Sequence, residues 1–233
     1  MVGEVYRLNN TSIKIVATLY TLHPKNPQQR TIEEIKSDLQ NGAVMLYPTD
    51  TVYAIGCDLN AKSAIERVRR IKQLSNEKPL TFMCPSLSNV ASYAAVSDMA
   101  YRLMKRLIPG PYTFLLPATK AVPRLVMSPK RRTTGIRVPN NTVCLELLKA
   151  LDNPVISTSA HLVGDEELSP TPDAPEYTSS AELFDRLDKL VDIIIDDESS
   201  VGYDVSTVLD LTTDEPQVVR EGLGWEAASE WLT

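Results

Sequence analysis

Short apolar runs alternate along this chain with amphipathic stretches, and no other feature restricts the possible fold as much. AVMLYP, LTFMC, YTFLL, GIRVP, PVIST, VDIII, STVLDL and QVVR have the length and the β-branched or aromatic content of strands, as does IVATLYTLH from Ile15. Between them, Ala64, Ile65, Val68 and Ile71 recur at helical spacing and predict a helix from about Ala61 to Gln73. Further helices are expected over Asp98–Leu107, where Pro109-Gly110-Pro111 stops the chain, around Val143–Leu151 and around Ala181–Leu190. Thr31, with Glu34 three residues on, reads as a capping box opening a helix to about Asn41, closed by Gly42. Strands interleaved with helices throughout imply an α/β (α+β) fold around a largely buried mixed sheet.

The polar, aperiodic residues 1–14 read as an N-terminal extension, and residues 15–233 as one domain. Gly, Pro, Asp, Glu, Ser and Thr crowd together from Val163 to Ser180, which suggests a long surface loop and a candidate lid. The apolar run Ile15–Leu22 is too short for a membrane span, and the N-terminus lacks the pattern of a signal peptide. Three cysteines without CxxC spacing fit a reducing compartment, so a cytoplasmic location is expected. With two histidines in 233 residues, a His-rich metal site is excluded, and no protein-held metal is expected.

Charge is divided along the chain. Residues 1–150 carry 21 Lys+Arg against 10 Asp+Glu, residues 151–233 carry 3 against 20, and the formal total is −6. A basic first part suits anionic partners such as nucleotide phosphates or nucleic acid. The familiar nucleotide signatures GxxxxGK[ST] and GxGxxG are absent, as are HExxH and GxSxG. What remains are polar clusters at strand ends: Thr49-Asp50-Thr51, Ser157-Thr158-Ser159, Ser206-Thr207, and Thr133 with Arg137. Strand termini of open α/β sheets are where ligands sit, although the same residue types also make turns and caps.

YPTDTVYAIGCDL, RIKQLSNEKPLTFMC, PGPYTFLL, TTGIRVP, STSA and STVLDL…VVREG, in this order, resemble the YrdC-like family, which includes the threonylcarbamoyl-adenylate synthases. TLHPKNPQQR and the ending of LTFMC resemble its YciO-type branch in particular. The resemblance implies a YrdC/RibB-type twisted mixed sheet flanked by helices around a concave basic cavity. It implies a reaction joining L-threonine, bicarbonate and ATP, which brings Mg2+ with it, into threonylcarbamoyl-AMP and pyrophosphate for tRNA modification. It also implies tRNA or double-stranded RNA, and downstream tRNA-modification proteins, as partners.

Residue by residue, the resemblance implies Lys72, Lys78 and Arg137 as catalytic groups. Thr51, Arg137, Ser157 and Ser206 match threonine-side contacts, while Lys72, Lys78, Thr133, Ser159 and Arg220 match ATP-side contacts. Such a site needs no catalytic triad, because the nucleophile belongs to the substrate and the protein holds two anions in line. On this reading the charge division becomes an acidic exterior around a locally positive cleft.

Three positions depart from the synthase pattern: Leu74 stands where the synthases have an ATP-contacting Arg, Met83 where they have His, and His161 where they have Asn. The alternative is therefore an RNA- or ribosome-associated binding protein of the same fold, with weak or lost synthase activity. A sugar-phosphate reaction of the RibB type ranks last, since no acidic metal cluster can be assembled around Thr51.

Overall fold

A computed structural model of the chain describes residues 16–74, 79–160, 179–199, 202 and 204–232. Ten strands form one sheet: β1 (Thr18–Thr21), β2 (Val44–Tyr47), β3 (Ala54–Asp58), β4 (Thr81–Met83), β5 (Tyr112–Pro117), β6 (Thr133–Arg137), β7 (Val155–Ser159), β8 (Ile193–Asp196), β9 (Thr207–Asp210) and β10 (Gln217–Arg220). Their spatial order is β1-β8-β2-β3-β7-β4-β6-β5-β9-β10. Neighbours β1/β8, β2/β8, β4/β6 and β5/β9 run parallel and the others antiparallel, so the sheet is mixed as expected. The helices are α1 (Gln29–Gln40), α2 (Lys62–Ile71), α3 (Leu87–Tyr93), α4 (Asp98–Leu107), α5 (Thr142–Leu151), α6 (Ser180–Leu187) and α7 (Trp225–Ser229). None of the described helices is long and apolar enough to cross a membrane.

Strand alternation assigns each residue to a face. Val44, Leu46, Ile55, Cys57, Phe82, Phe114, Ile136, Ile156 and Leu209 face one way, into a core shared with α2, α4 and parts of α3, α6 and α7. Met45, Tyr47, Ala54, Met83, Val155, Ile193 and Ile195 face the other way, against Ile32, Ile35 and Leu39 of α1 and Val143, Leu147 and Leu148 of α5. The second core covers the β1-β8-β2-β3 side of its face and reaches Val155 of β7 and Met83 of β4. The cavity described below opens on the same face, from the β3 and β7 ends across β4, β5, β9 and β10.

Several local expectations needed correction. Helix α1 starts at Gln29, its N-cap Gln28 makes no side-chain cap, and Glu34 pairs with Arg30 at 3.1 Å, so Thr31 and Glu34 form no capping box. The buried stripe Ile32, Ile35, Leu39 fixes this helix, and burial outweighs a missing cap worth about 1 kcal/mol. Gly42 does close it, with φ +92°. Strand β3 was not expected: AIGCD is buried at every position, so it lacks the alternation that betrays a half-exposed strand. Helices α3 and α7 are too short to show a period, and α6 ends at Leu187 rather than near Leu190. Helix α4 matches its predicted bounds, with Ser97 accepting a hydrogen bond from the Ala100 amide at 3.2 Å. The N-terminal extension and most of the Val163–Ser180 loop lie outside the described residues.

Candidate active site

The open half of the sheet face is paved in two rows. Register places Ser157 of β7 beside Thr81 of β4, Thr81 beside Gly135 of β6, and Gly135 beside Leu115 of β5. The next row runs through Val155, Met83 and Arg137 on the same strands, and Thr113 of β5, Val208 of β9 and Arg220 of β10 continue it. Small and hydroxylated side chains here leave a cavity of about 570 Å³, a size ordinary for small-molecule sites. Gly135 is not itself a lining residue but sits among three that are: a Cβ there would lie 3.2 Å from Thr81 Oγ1, 3.4 Å from a Thr113 methyl and 3.8 Å from Leu115.

The β2–β3 loop forms one rim. Thr49 Oγ1 donates to the Val52 carbonyl at 2.7 Å and accepts from the Thr51 amide at 3.1 Å, which presents the buried Thr51 to the cavity. Gly202 approaches the Thr51 carbonyl so closely that a Cβ would fall 1.8 Å from its oxygen. Between Thr49 and Thr51, Asp50 turns inward and its Oδ1 accepts from Arg137 Nη2 at 2.5 Å; both side chains are about one-tenth exposed. Asp50 Oδ2 and Arg137 Nε are buried without a hydrogen-bond partner among the described residues.

Ser157 is held from below. Tyr47 donates to its Oγ at 2.6 Å, across a position where Gly56 leaves room: a Cβ on Gly56 would sit 2.9 Å from the tyrosine ring. Burial pushes the Tyr47 hydroxyl well above its usual range, so it stays a donor. At the far side, Arg220 donates through Nε and Nη2 to the Ser206 carbonyl at 3.0 and 2.8 Å and to Ser206 Oγ at 3.2 Å. Ser206 in turn shares a 2.9 Å hydrogen bond with Thr113. Desolvation, and then the charge of Arg137, lower the Arg220 pKa, so the two guanidinium groups sense each other across the cavity. Lys72 caps the C-terminus of α2, is 8% exposed and lines the same space.

Thr51, Lys72, Arg137, Ser157, Ser159, Ser206 and Arg220 therefore converge on one cavity, from both the basic and the acidic parts of the sequence. Thr133 shares the strand face of Gly135 and Arg137, but it is buried at the start of β6 and is not among the lining residues. Lys78 and His161 lie outside the described residues. Leu74 and Met83, two of the three departures, both line the cavity. Sequence reasoning overlooked Tyr47 and Thr113, and named Asp50 only within the Thr49-Asp50-Thr51 cluster, with no role of its own. A Thr inside the apolar run YTFLL was a signal for Thr113. Thr207 resolves the other way: its hydroxyl donates to the Gly222 and Leu223 carbonyls and serves the loop after β10. Among the described residues no three His, Cys, Asp or Glu side chains gather as a metal site.

A family model for Sua5, YciO and YrdC proteins, described as telomere recombination, matches residues 37–222. Over 209 residues the chain is 44% identical to the uncharacterized protein YciO of Escherichia coli strain K12, covering 90% of this chain and 97% of that one. The crystal structure of E. coli YciO matches with a TM-score of 0.79 over 89% of this chain and 96% of the other. A threonylcarbamoyl-AMP synthase of Vibrio vulnificus strain YJ016 is 27% identical over 194 residues, covering 82% of this chain and 98% of that one. The structure of P. abyssi Sua5 complexed with L-threonine matches with a TM-score of 0.77 and 25% identity, over 88% of this chain and 58% of that chain.

Proposed function

The chain belongs to the Sua5/YciO/YrdC family, and from that premise we propose that its cavity joins L-threonine, bicarbonate and ATP into threonylcarbamoyl-AMP and pyrophosphate. The observation that carries this reading is the convergence of Lys72, Arg137 and Arg220, from three distant parts of the chain, on one hydroxyl-floored cavity. The likeness to a Sua5 that holds L-threonine supports it.

The threonine amine attacks carbon dioxide derived from bicarbonate and loses a proton, giving a carbamate. A carbamate oxygen then attacks the α-phosphorus of ATP, the bond to the β-phosphate oxygen breaks, and pyrophosphate leaves. Both steps need two anions held in line and the growing phosphate charge neutralised, which is work for positioned cations. Arg137 takes the carboxylate or carbamate, where a guanidinium fork matches a carboxylate. Lys72, Lys78 and Arg220 hold the phosphates, with magnesium arriving as part of the ATP. Thr51, Ser157, Ser159 and Ser206 orient the two substrates by hydrogen bonds, and Thr133 is assigned to the ATP side.

Purified protein mixed with ATP, bicarbonate and L-threonine should release pyrophosphate in a threonine-dependent manner. Absence of release with every amino acid tried would sink the synthase reading. Leu74 and Met83 in the lining favour a second reading, an RNA- or ribosome-associated protein of the same fold with weakened activity. One substitution separates the two. If Leu74 faces ATP in a synthase, Leu74→Arg adds a charge-assisted hydrogen bond worth about 1.5–3 kcal/mol and raises pyrophosphate release about tenfold or more. On the RNA-binding reading, Leu74→Arg leaves release at background, while a gel shift with tRNA weakens steeply with salt.

A further inference from the structure

One row of the sheet carries both arginines of the cavity. Phe114 of β5 pairs with Ile136 of β6, which sets Thr113 beside Arg137; Thr113 pairs with Val208 of β9, and Val208 with Arg220 of β10. Neighbouring strands lie about 5 Å apart, so Thr113 stands one spacing from Arg137 and two from Arg220. It is the hydroxyl between them in that row, 8% exposed, and it lines the cavity.

Hydrogen bonds decide where its proton goes. Arg220 Nη2 donates to Ser206 Oγ at 3.2 Å, and Ser206 Oγ and Thr113 Oγ1 share a bond of 2.9 Å. A cation that donates to a hydroxyl oxygen makes that hydroxyl the stronger donor in turn. Ser206 therefore donates to Thr113, and the Thr113 proton is left over. Among the described residues the Thr113 hydroxyl has no other hydrogen-bond partner, so its proton is available to whatever fills the cavity between the arginines.

We propose that Thr113 is a substrate-contacting residue: its hydroxyl, aimed by the relay from Arg220 through Ser206, donates to an α-phosphoryl oxygen of ATP. This rests on the synthase reading of the cavity and adds a contact at the reacting centre. A carbamate held by Arg137 and phosphates held by Arg220 must meet between the two, at the α-phosphorus, and Thr113 is the floor hydroxyl of that stretch. Thr113 gives no proton away. It offsets the charge on the α-phosphoryl oxygen while the carbamate oxygen attacks and pyrophosphate leaves.

The test uses the whole chain and calorimetric titration with ATP, without threonine or bicarbonate. Thr113→Val, nearly isosteric but without a hydroxyl, should weaken ATP about tenfold, the worth of one hydrogen bond to a charged group, and Thr113→Ser should restore it to within about threefold of wild type. Ser206→Ala leaves Thr113 its proton but removes the relay, so it should cost only about threefold, and the double variant should match Thr113→Val rather than multiply to about thirtyfold. In turnover, Thr113→Val should lower kcat about tenfold or more with KM for threonine within about twofold. Equal ATP binding by wild type and Thr113→Val, no rescue by Thr113→Ser, a loss in Ser206→Ala as large as in Thr113→Val, or a turnover loss confined to KM for threonine overturns the proposal. Losses that multiply overturn it as well. Titration needs no turnover, so the outcomes separate. The expected ATP pattern without threonine-dependent pyrophosphate release removes the synthase reading alone, and release with ATP binding indifferent to Thr113 removes the role of Thr113 alone.

Discussion

One face of the sheet is built in two ways. On the β1-β8-β2-β3 side, Met45, Tyr47, Ile193 and Ile195 present large side chains, and α1 and α5 pack down on them until all four are essentially inaccessible. A few strands away the same face presents Ser157, Thr81, Gly135 and Thr113, and a cavity stands where a helix would otherwise lie. Hydroxyls and a glycine offer little apolar area to a covering helix, so burial there returns little and solvent or ligand occupies the space. Side-chain size along a shared face thus separates the part of the molecule that holds it together from the part able to bind. Tyr47 stands on the border: its ring belongs to the packed core and its hydroxyl reaches Ser157 in the cavity.

The contrast breaks most completely if the open half is filled. Gly135→Leu places a branched side chain on the cavity floor, against Thr81 and Thr113. Threonine-dependent pyrophosphate release should fall by at least about a hundredfold, while overpacking costs only about 1–3 kcal/mol of urea stability. The mirror experiment empties the packed half: Leu39→Ala should cost about 2–5 kcal/mol in urea unfolding and leave kcat/KM of the remaining folded protein within about twofold of wild type. Strong loss of activity in Leu39→Ala would show that the two halves are not independent. Tyr47→Phe sharpens the border, since it removes one hydrogen bond worth about 0.5–1.5 kcal/mol and frees Ser157 to rotate. Both readouts should move, stability by about that amount and kcat/KM by roughly three- to tenfold.

A last contrast comes from groups that the cavity does not use. Burial raises the Cys57 and Cys84 thiols from 9.0 to about 12, and raises Cys144 further in the same direction. The folded state therefore keeps these protons where the unfolded chain gives them up. Their contribution to stability is complete below about pH 9 and is lost as pH rises toward 12. Urea midpoints should decline over that window, and a thiol reagent at pH 8 should label the unfolded protein but not the native one. Rapid native labelling of any of the three would show that its shell opens locally.

Legibility followed burial. Helix α4 was readable because Ala100, Leu103, Met104 and Leu107 repeat at helical spacing between a serine cap and Pro109. Strand β10 was readable as QVVR, whereas β3 was not, because a strand covered on both faces loses the period that marks it. In the site, Thr51, Ser157 and Ser206 drew notice as hydroxyls at strand ends, and Arg137 with Thr133 as a further polar cluster around GIRV. Tyr47 did not, because an aromatic in a strand reads as core, and Asp50 was named only within the Thr49-Asp50-Thr51 cluster, where an Asp between threonines also reads as a turn. Both readings are locally sound. Partners distant in the sequence gave these residues their second roles.

The amino-acid sequence by itself determined the mixed α/β architecture, most strands and helices, and the set of hydroxyls and cations available to a site, because period, length and residue type act over a few neighbours. Tertiary structure alone decided which of them meet. Arg137 pairs with Asp50, 87 residues earlier, and senses Arg220 from the acidic end of the chain. The strand order that brings them together is a solution to burying two cores at once, and no local stretch of sequence contains it. A charge profile divided along the chain becomes in space a single cavity with one arginine paired to a carboxylate and another held by the neutral oxygens of Ser206.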